Sequence, residues 1–325
     1  ALDRIFQSKL NSANLEKEKI KEIFNSLTWM ILPLSKNPSA PAQGALAIEA
    51  RSDDEKIKSL LGEINDKGVF LSVSKERQIL KNYGGGCHQK IGVSCESLKM
   101  GEVLTLKGLT ENGKILDQKE FSPHQKFKNQ NLKGITNFYP EEGEKSLLFD
   151  RNEISESVKT IESIKNSGIY VSRANALPKE VKIDPTNIIW TSGIETWENL
   201  AKLGLWVNGS SDSLGEEQCE AENILGDIKW YKLSHNLATH GKKEIISTYE
   251  LIEKEIPEKV AHASHFYWMS ASSFKYAFKN KPEIENANHA CGMGRTFDEI
   301  NTIIPGKVYP YLKYQDWLDK IRQAK

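Results

Sequence analysis

Two patterns of residue type and spacing in this chain suit chemistry. One is the loop Tyr83, Gly84, Gly85, Gly86, Cys87, His88, Gln89, Lys90, in which glycines run directly into a cysteine. Glycine takes positive φ without a Cβ clash, so the backbone can turn sharply and leave the Cys87 thiol unshielded, which suits a sulfur that must be reached by something large. Without chemistry, the same loop is a tight turn in which Cys87 is a small apolar plug. The other pattern is a pair of short runs, Ile189 to Gly193 and Phe266 to Ser270, each leading a buried strand into small hydroxyl residues at a helix start. Parallel α/β sheets bind ligands at such strand ends, where backbone N–H groups at a helix N-terminus attract an anion. Ser192, Thr196, Ser270 and Ser272 are therefore candidates to contact an anionic ligand, or to cap their helices and nothing more.

Composition narrows the classes. The chain has 325 residues, 44 Lys and Arg against 44 Asp and Glu, and 27% charged residues, so it carries no basic excess for nucleic acid. No apolar run approaches the roughly 20 residues of a membrane span, and no signal peptide is visible. Cys87, Cys95, Cys219 and Cys291 form no CxxC pair, and His262 with His265 lacks a third ligand, so neither a disulfide framework nor a metal site is expected. A reducing cytoplasm fits. His235, His240, His262, His265 and His289 read as loop and core histidines.

Positioning elements can be read from periodicity. Residues 1–30 carry apolar side chains at helical spacing, broken near Asn11 to Asn14, and the fragment from Ala1 to Phe6 reads as the middle of a longer polypeptide. Trp29 to Pro41 is extended and proline-punctuated. A strand is expected over Gln43 to Arg51, a helix capped from Ser52, Asp53 or Asp54 to about Leu61, and a second helix within Val69 to Lys81, opening at Ser72 or Ser74. Three strands follow, Ile91 to Ser97, Val103 to Leu109 and Lys114 to Phe121, the last two joined as a hairpin. The Lys, Gln, Asn and Pro-rich stretch 122–134 reads as a linker. Beyond it, strands expected at Ser146 to Phe149, Ile169 to Ser172, Asn187 to Ser192, Ile228 to Leu233, His265 to Ser270 and Asn288 to Gly292 alternate with helices at Ser155 to Lys165, Thr196 to Leu203, Lys242 to Ile256 and Ser272 to Lys279. That alternation predicts parallel sheets with crossover helices.

The run Pro41 to Arg51 (Pro, Ala, Gln, Gly, Ala, Leu, Ala, Ile, Glu, Ala, Arg), then Lys75, Glu76, Arg77 and the Cys87 loop, resembles the C-terminal third of hydroxymethylbilane synthase, or porphobilinogen deaminase. The resemblance implies a dipyrromethane cofactor in thioether linkage to Cys87, held only if the full deaminase is present. That family's catalytic aspartate and pyrrole-binding arginines lie in N-terminal domains, to be supplied in cis or in trans. Lys90 stands where the family usually has proline.

The segments Ile169 to Ala176, Ile188 to Leu205, Lys229 to Gly241, Ser247 to Glu250, His265 to Phe278 and His289 to Thr296 are similar, in order, to uroporphyrinogen III synthase. This resemblance implies a linear tetrapyrrole substrate, hydroxymethylbilane, that loses its hydroxyl and closes with inversion of the last ring, with no cofactor for that step. By position, Tyr249 is the candidate to hydrogen-bond or protonate the leaving hydroxyl. Ser172, Ser192, Thr196, Ser270, Ser272 and Thr296 would hold acetate and propionate groups, and Arg173 and Arg295 would pair with them, since a guanidinium meets a carboxylate through two parallel bonds. A purely packed Tyr249 and surface arginines are the alternatives.

The expected organisation is thus α/β with α+β: residues 1–40 as remnant helices and linker, 41–121 as a small α+β deaminase C-terminal domain, 122–134 as linker, and 135–325 as a two-lobed parallel α/β synthase-like module. The implied function is tetrapyrrole (haem) biosynthesis by a fused lyase and incomplete transferase. A non-catalytic tetrapyrrole-binding or scaffold module is the rival.

Overall fold

The computed structural model describes residues 13–86, 88–124, 132, 135, 137–144, 148–216, 228–238 and 241–324. Cys87, expected to carry a cofactor, lies outside them, as do Cys219, His240 and most of the linker expected over 122–134. The described chain divides into two compact units: residues 32–124 form one, and residues 13–31 with those from 132 onward form the other.

In the first unit the strand expected over Gln43 to Arg51 does not form. Residues 40–45 turn instead, with Gln43 N–H donating to the Ala40 carbonyl and Ala45 N–H to that of Ala42. No described strand pairs with the residues that follow, and Leu46 and Ile48 stay exposed. Alternation specifies a strand only where a neighbour takes up its backbone groups. With helix α1 (Ala13–Ser26) in the other unit, the next helices are α2 (Glu55–Ile64) and α3 (Lys67–Lys81). The Asp54 carboxylate caps α2 by accepting from Ile57 N–H. Asp66 does the same for α3 through Val69 N–H, so α3 starts at Lys67, just ahead of the expected Val69, and its cap is this aspartate and not Ser72 or Ser74. Strands β1 (Lys90–Leu98), β2 (Gly101–Leu109) and β3 (Ile115–Pro123) form an antiparallel meander. Gly113, at φ 81°, makes the β2–β3 turn. Ile91, Val93, Leu106 and Leu116 are its buried core, against Ile79 and Leu80 of α3. Glu76 ties the pieces together, accepting Ala42 N–H at 2.8 Å and Cys95 N–H at 2.9 Å.

The second unit holds two sheets. Its strands are β4 (Phe138–Tyr139), β5 (Phe149–Glu153), β6 (Gly168–Val171), β7 (Ile188–Thr191), β8 (Gly209–Ser210), β9 (Trp230–His235), β10 (Glu244–Glu253), β11 (His265–Trp268), β12 (Asn288–Gly292) and β13 (Val308–Tyr311). They build a six-stranded sheet in the order β5-β10-β9-β6-β7-β8 and a four-stranded sheet in the order β13-β12-β11-β4. Every pairing is parallel except β5 with β10. The intervening helices are α4 (Glu156–Glu162), α5 (Ile194–Lys202), α6 (Glu258–Ala261), α7 (Ala271–Asn280), α8 (Arg295–Ile303) and α9 (Tyr314–Ala324). The architecture is α/β, joined to the small α+β unit.

The helix expected over Lys242 to Ile256 is strand β10, a correction that moves Tyr249 from a helix to a sheet. Ile245, Ile246, Tyr249 and Ile252 mimic helical spacing, but Ile-Ile-Ser-Thr-Tyr is strongly β-forming, and β10 is paired on both sides, by β9 and β5. Trp190, Trp268 and Trp317 are fully buried. Trp29 and Ile31 pack on the Tyr170, Trp190 and Trp230 cluster, with Ile31 N–H donating to the Asn208 carbonyl beside β8. Residues 13–31, expected to belong with the deaminase-like part, therefore pack with this unit. Among the described residues no helix is long and apolar enough to cross a membrane.

Candidate functional site

A cavity of about 400 Å³ opens between the two sheets of the second unit. Its walls are the C-terminal ends of the parallel strands: Ser172 and Arg173 after β6, Ser192 after β7, Ser234 and His235 ending β9, Met269 and Ser270 after β11, and Met293 after β12. After β6, β7, β11 and β12 the chain turns into a helical segment, leaving backbone groups and short side chains at the strand ends to meet a ligand, while β9 runs on toward β10.

The structure gathers Ser172, Arg173, Ser192, Tyr249, Ser270, Arg295 and Thr296 on this one cavity. It does not bring Thr196 and Ser272 there. Both lie in the first turn of their helices, α5 and α7, and neither lines the cavity; from α7 it is Ser273, whose N–H donates to Ser270 Oγ, that does. The serines also hold the fold. Ser172 Oγ donates to the Leu233 carbonyl at 2.7 Å and Ser192 Oγ to the Ser172 carbonyl at 2.6 Å, while Ser270 Oγ caps α7 by accepting from Ser273 N–H at 3.2 Å. With the Ser172 and Ser192 hydroxyl protons committed to carbonyls, what those oxygens offer a ligand is lone pairs.

Charge in the cavity is carried by residues from several strands. Arg173 Nη2 donates to the Met269 carbonyl at 2.8 Å, linking the two sheets. Desolvation pulls its pKa down, the nearby Tyr249 opposing, yet a guanidinium remains charged. Arg151 sits 5.2 Å over the Tyr249 ring. Lys232 pairs with Glu216, and Arg295 Nη1 lies 3.4 Å from the same carboxylate. Among the described lining residues Arg151, Arg173, Lys232 and Arg295 thus face one carboxylate, Glu216. That excess suits a polyanion.

Arg151, Lys232, Glu216, His235 and Tyr267 escape the sequence reading. Lys232, Ser234 and His235 leave one trace, polar residues in a run otherwise fit for a buried strand, but their neighbours come from β5, β10 and the loop after β8. His235, expected in a loop or the core, lines the cavity; His265 and His289 are core, and His262 is exposed. Burial raises the Tyr267 phenol well above its ordinary range and holds His235 down to about 4, helped by Arg173, Lys232 and Arg151. No group of His, Cys, Asp and Glu among the described residues is placed to hold a metal.

In the first unit, Gly84, Gly85 and Gly86 have φ of 97°, 68° and 91°. Side chains are strained in that region, so the backbone leading to Cys87 needs glycine.

No protein-family model matches the chain. Part of it is similar to porphobilinogen deaminases. It is 45% identical over 73 residues to that of Kluyveromyces lactis, covering 22% of each chain. It is 38% identical over 111 residues to that of Clostridium novyi, covering 33% of this chain and 36% of the relative. The chain thus spans between about a fifth and about a third of the length of these relatives. Among solved structures, a mutant uroporphyrinogen III synthase from Thermus thermophilus aligns with a TM-score of 0.38 and 8% identity, over 55% of this chain and 86% of that one.

Proposed function

We propose that the protein acts in tetrapyrrole biosynthesis, its second unit closing linear hydroxymethylbilane to uroporphyrinogen III. The observation that carries this reading is the convergence of Arg173, Tyr249 and Arg295 on one cationic cavity between two parallel sheets. Closure needs little from strong acids or bases: a hydroxyl must leave, and a flexible polycarboxylate must be held folded, so positioning supplies most of the rate. Arg151, Arg173, Lys232 and Arg295 pair with acetate and propionate groups. Tyr249, whose phenol can donate at neutral pH, hydrogen-bonds the departing hydroxyl.

The first unit, on the same reading, is the end of a hydroxymethylbilane synthase, and porphobilinogen deaminases are what part of the chain matches in sequence. Cys87 would hold dipyrromethane by a thioether once N-terminal deaminase domains are supplied in cis or in trans. The left-handed backbone of Gly84, Gly85 and Gly86 just before it gives the sharp turn such an attachment loop needs. Joining the two activities makes sense because released hydroxymethylbilane closes spontaneously to the wrong isomer, and a tethered second site meets it at high effective concentration.

The test is to give the purified chain freshly made hydroxymethylbilane, oxidise the products and separate type I from type III uroporphyrin. A large excess of type III is expected. Type I alone, as in buffer, overturns the cyclase reading and leaves a binding or scaffold module.

A further inference from the structure

His235 ends β9 on the cavity lining, and no hydrogen bond among the described residues ties its ring. His289 differs: its Nδ1 accepts from Trp268 Nε1 at 3.0 Å and its Nε2 lies 2.9 Å from the Ile284 carbonyl, so that ring is a fixed part of the core. In His235 the Nδ1 is sealed by burial, which leaves Nε2 as the nitrogen a ligand can reach. Strand register then places the ring beside Tyr249. Ser247 pairs with Ser234, the register shifts at a bulge, and Tyr249 rather than Thr248 pairs with His235, their ring centroids 5.8 Å apart. Adjacent residues of a strand point to opposite faces, so without the bulge Thr248 would take the place of the phenol beside the imidazole.

Resting on the cyclase reading, we propose that His235 is a second catalytic residue, the proton acceptor that works with Tyr249 on one pyrrole ring of the substrate. The Tyr249 phenol gives its proton to the hydroxyl of the hydroxymethyl group. The C–O bond breaks with its electrons on oxygen, and water leaves. The pyrrole N–H proton passes to His235 Nε2, and its electron pair moves through the ring to form the exocyclic C=C of a neutral azafulvene. When the substituted α-carbon of the far ring attacks that carbon, a spiro intermediate forms and the azafulvene nitrogen recovers its proton from His235. The bond from that α-carbon to its original methylene bridge then breaks, its electron pair restoring the far ring, and the free α-carbon of the same ring attacks the cationic methylene left on the preceding pyrrole, which inverts the last ring. The carbon proton lost as the last ring regains aromaticity returns to Tyr249. Both side chains end as they began, and one water is released.

Charge supports this assignment. Desolvation and the cations Arg173, Lys232 and Arg151 keep the free imidazole neutral, hence able to accept a proton at neutral pH. Substrate carboxylates that pair with those cations remove the repulsion, so the ring becomes more basic in the complex.

The variants H235A and H235Q, each checked for wild-type thermal unfolding, are compared with the wild-type chain for type III formation from hydroxymethylbilane. In H235A kcat should fall about 100-fold with KM within about threefold of wild type. Added imidazole should restore type III formation, and the same concentration of sodium chloride should not. H235Q, which hydrogen-bonds but takes no proton, should stay slow. A wild-type kcat in either variant, or a loss in H235A that imidazole does not relieve, overturns the assignment. If H235A unfolds early, H235Q decides alone: wild-type kcat rejects the proton acceptor and a slow, normally folded enzyme supports it. If the wild-type chain itself yields only type I, the cyclase reading falls first and His235 with it, before any variant is compared.

Discussion

The two units invert the usual relation between motif and packing. Residues 32–124 hold the sharpest local motif, the glycine loop at Cys87, on a thin core: Ile91, Val93, Leu106 and Leu116 are its buried cluster, α2 buries no side chain, and Ile64, Phe70 and Leu71 stand exposed. The second unit has no sharp motif and a deep core of two parallel sheets, with Trp190, Trp268, Phe266 and Trp317 at 1% exposure or less. A loop motif is written in neighbouring residues and survives whatever packs around it. A cavity between sheets needs many strands held rigidly, and its residues are scattered through the sequence.

The contrast in packing can be broken by truncation. Trp268 stacks on Phe266 at 4.9 Å and donates to His289, so Trp268→Ala should destabilise the second unit by about 3–5 kcal/mol. Leu106→Ala in the thin core should cost about 2 kcal/mol, the low end for such a change. All seven tryptophans lie in the second unit, so urea unfolding followed by tryptophan fluorescence should shift for Trp268→Ala and barely move for Leu106→Ala. Equal fluorescence shifts would mean that the two units unfold as one.

A smaller effect tests the cavity. Arg173→Met removes one charge and the bond to the Met269 carbonyl; KM for hydroxymethylbilane should rise about 10- to 100-fold, the worth of a charged hydrogen bond. An unchanged KM would remove Arg173 from carboxylate binding.

Acid should separate the units further. Burial holds His235 and His289 down to about 4, so the unfolded chain, with ordinary histidines near 6.5, binds protons more readily than the folded one between those values. Stability is therefore lost as pH falls from about 6.5 to about 4. Both of these histidines lie in the second unit, so the loss should appear in tryptophan fluorescence and not in hydrogen exchange of β1 to β3. A first unit that loses protection earlier would reverse the assignment.

The smallest signal is chemical. Burial first, then the hydrogen-bonded Glu102, pushes the Cys95 thiol up to about 12, so it stays protonated and unreactive at pH 8. Mild alkylation of the native chain should label Cys87 and spare Cys95, read by peptide mass. Modification of Cys95 at the same rate would show that the thin core opens readily.

Much of the fold was legible. The three-stranded meander and the strands at Ile169, Asn187, Ile228, His265 and Asn288 all appear near their expected bounds, because short β-branched runs between turn signals leave little choice. β10 was misread, since apolar spacing in Ile245, Ile246 and Tyr249 suits a helix and a strand alike. The strand expected at Gln43 failed for the opposite reason, a strand-like pattern with no partner.

By itself the sequence settled the three-stranded meander, most of the parallel strands and the glycine run that turns the backbone before Cys87, because these depend on neighbours a few positions away. Only tertiary structure decided which charges share a cavity. Arg151, Arg173, Lys232, Glu216 and Arg295 come from five separate places in the chain. A one-residue bulge in β10 decided that Tyr249 meets His235. Strand order and register are properties of the whole sheet, and no local pattern encodes them.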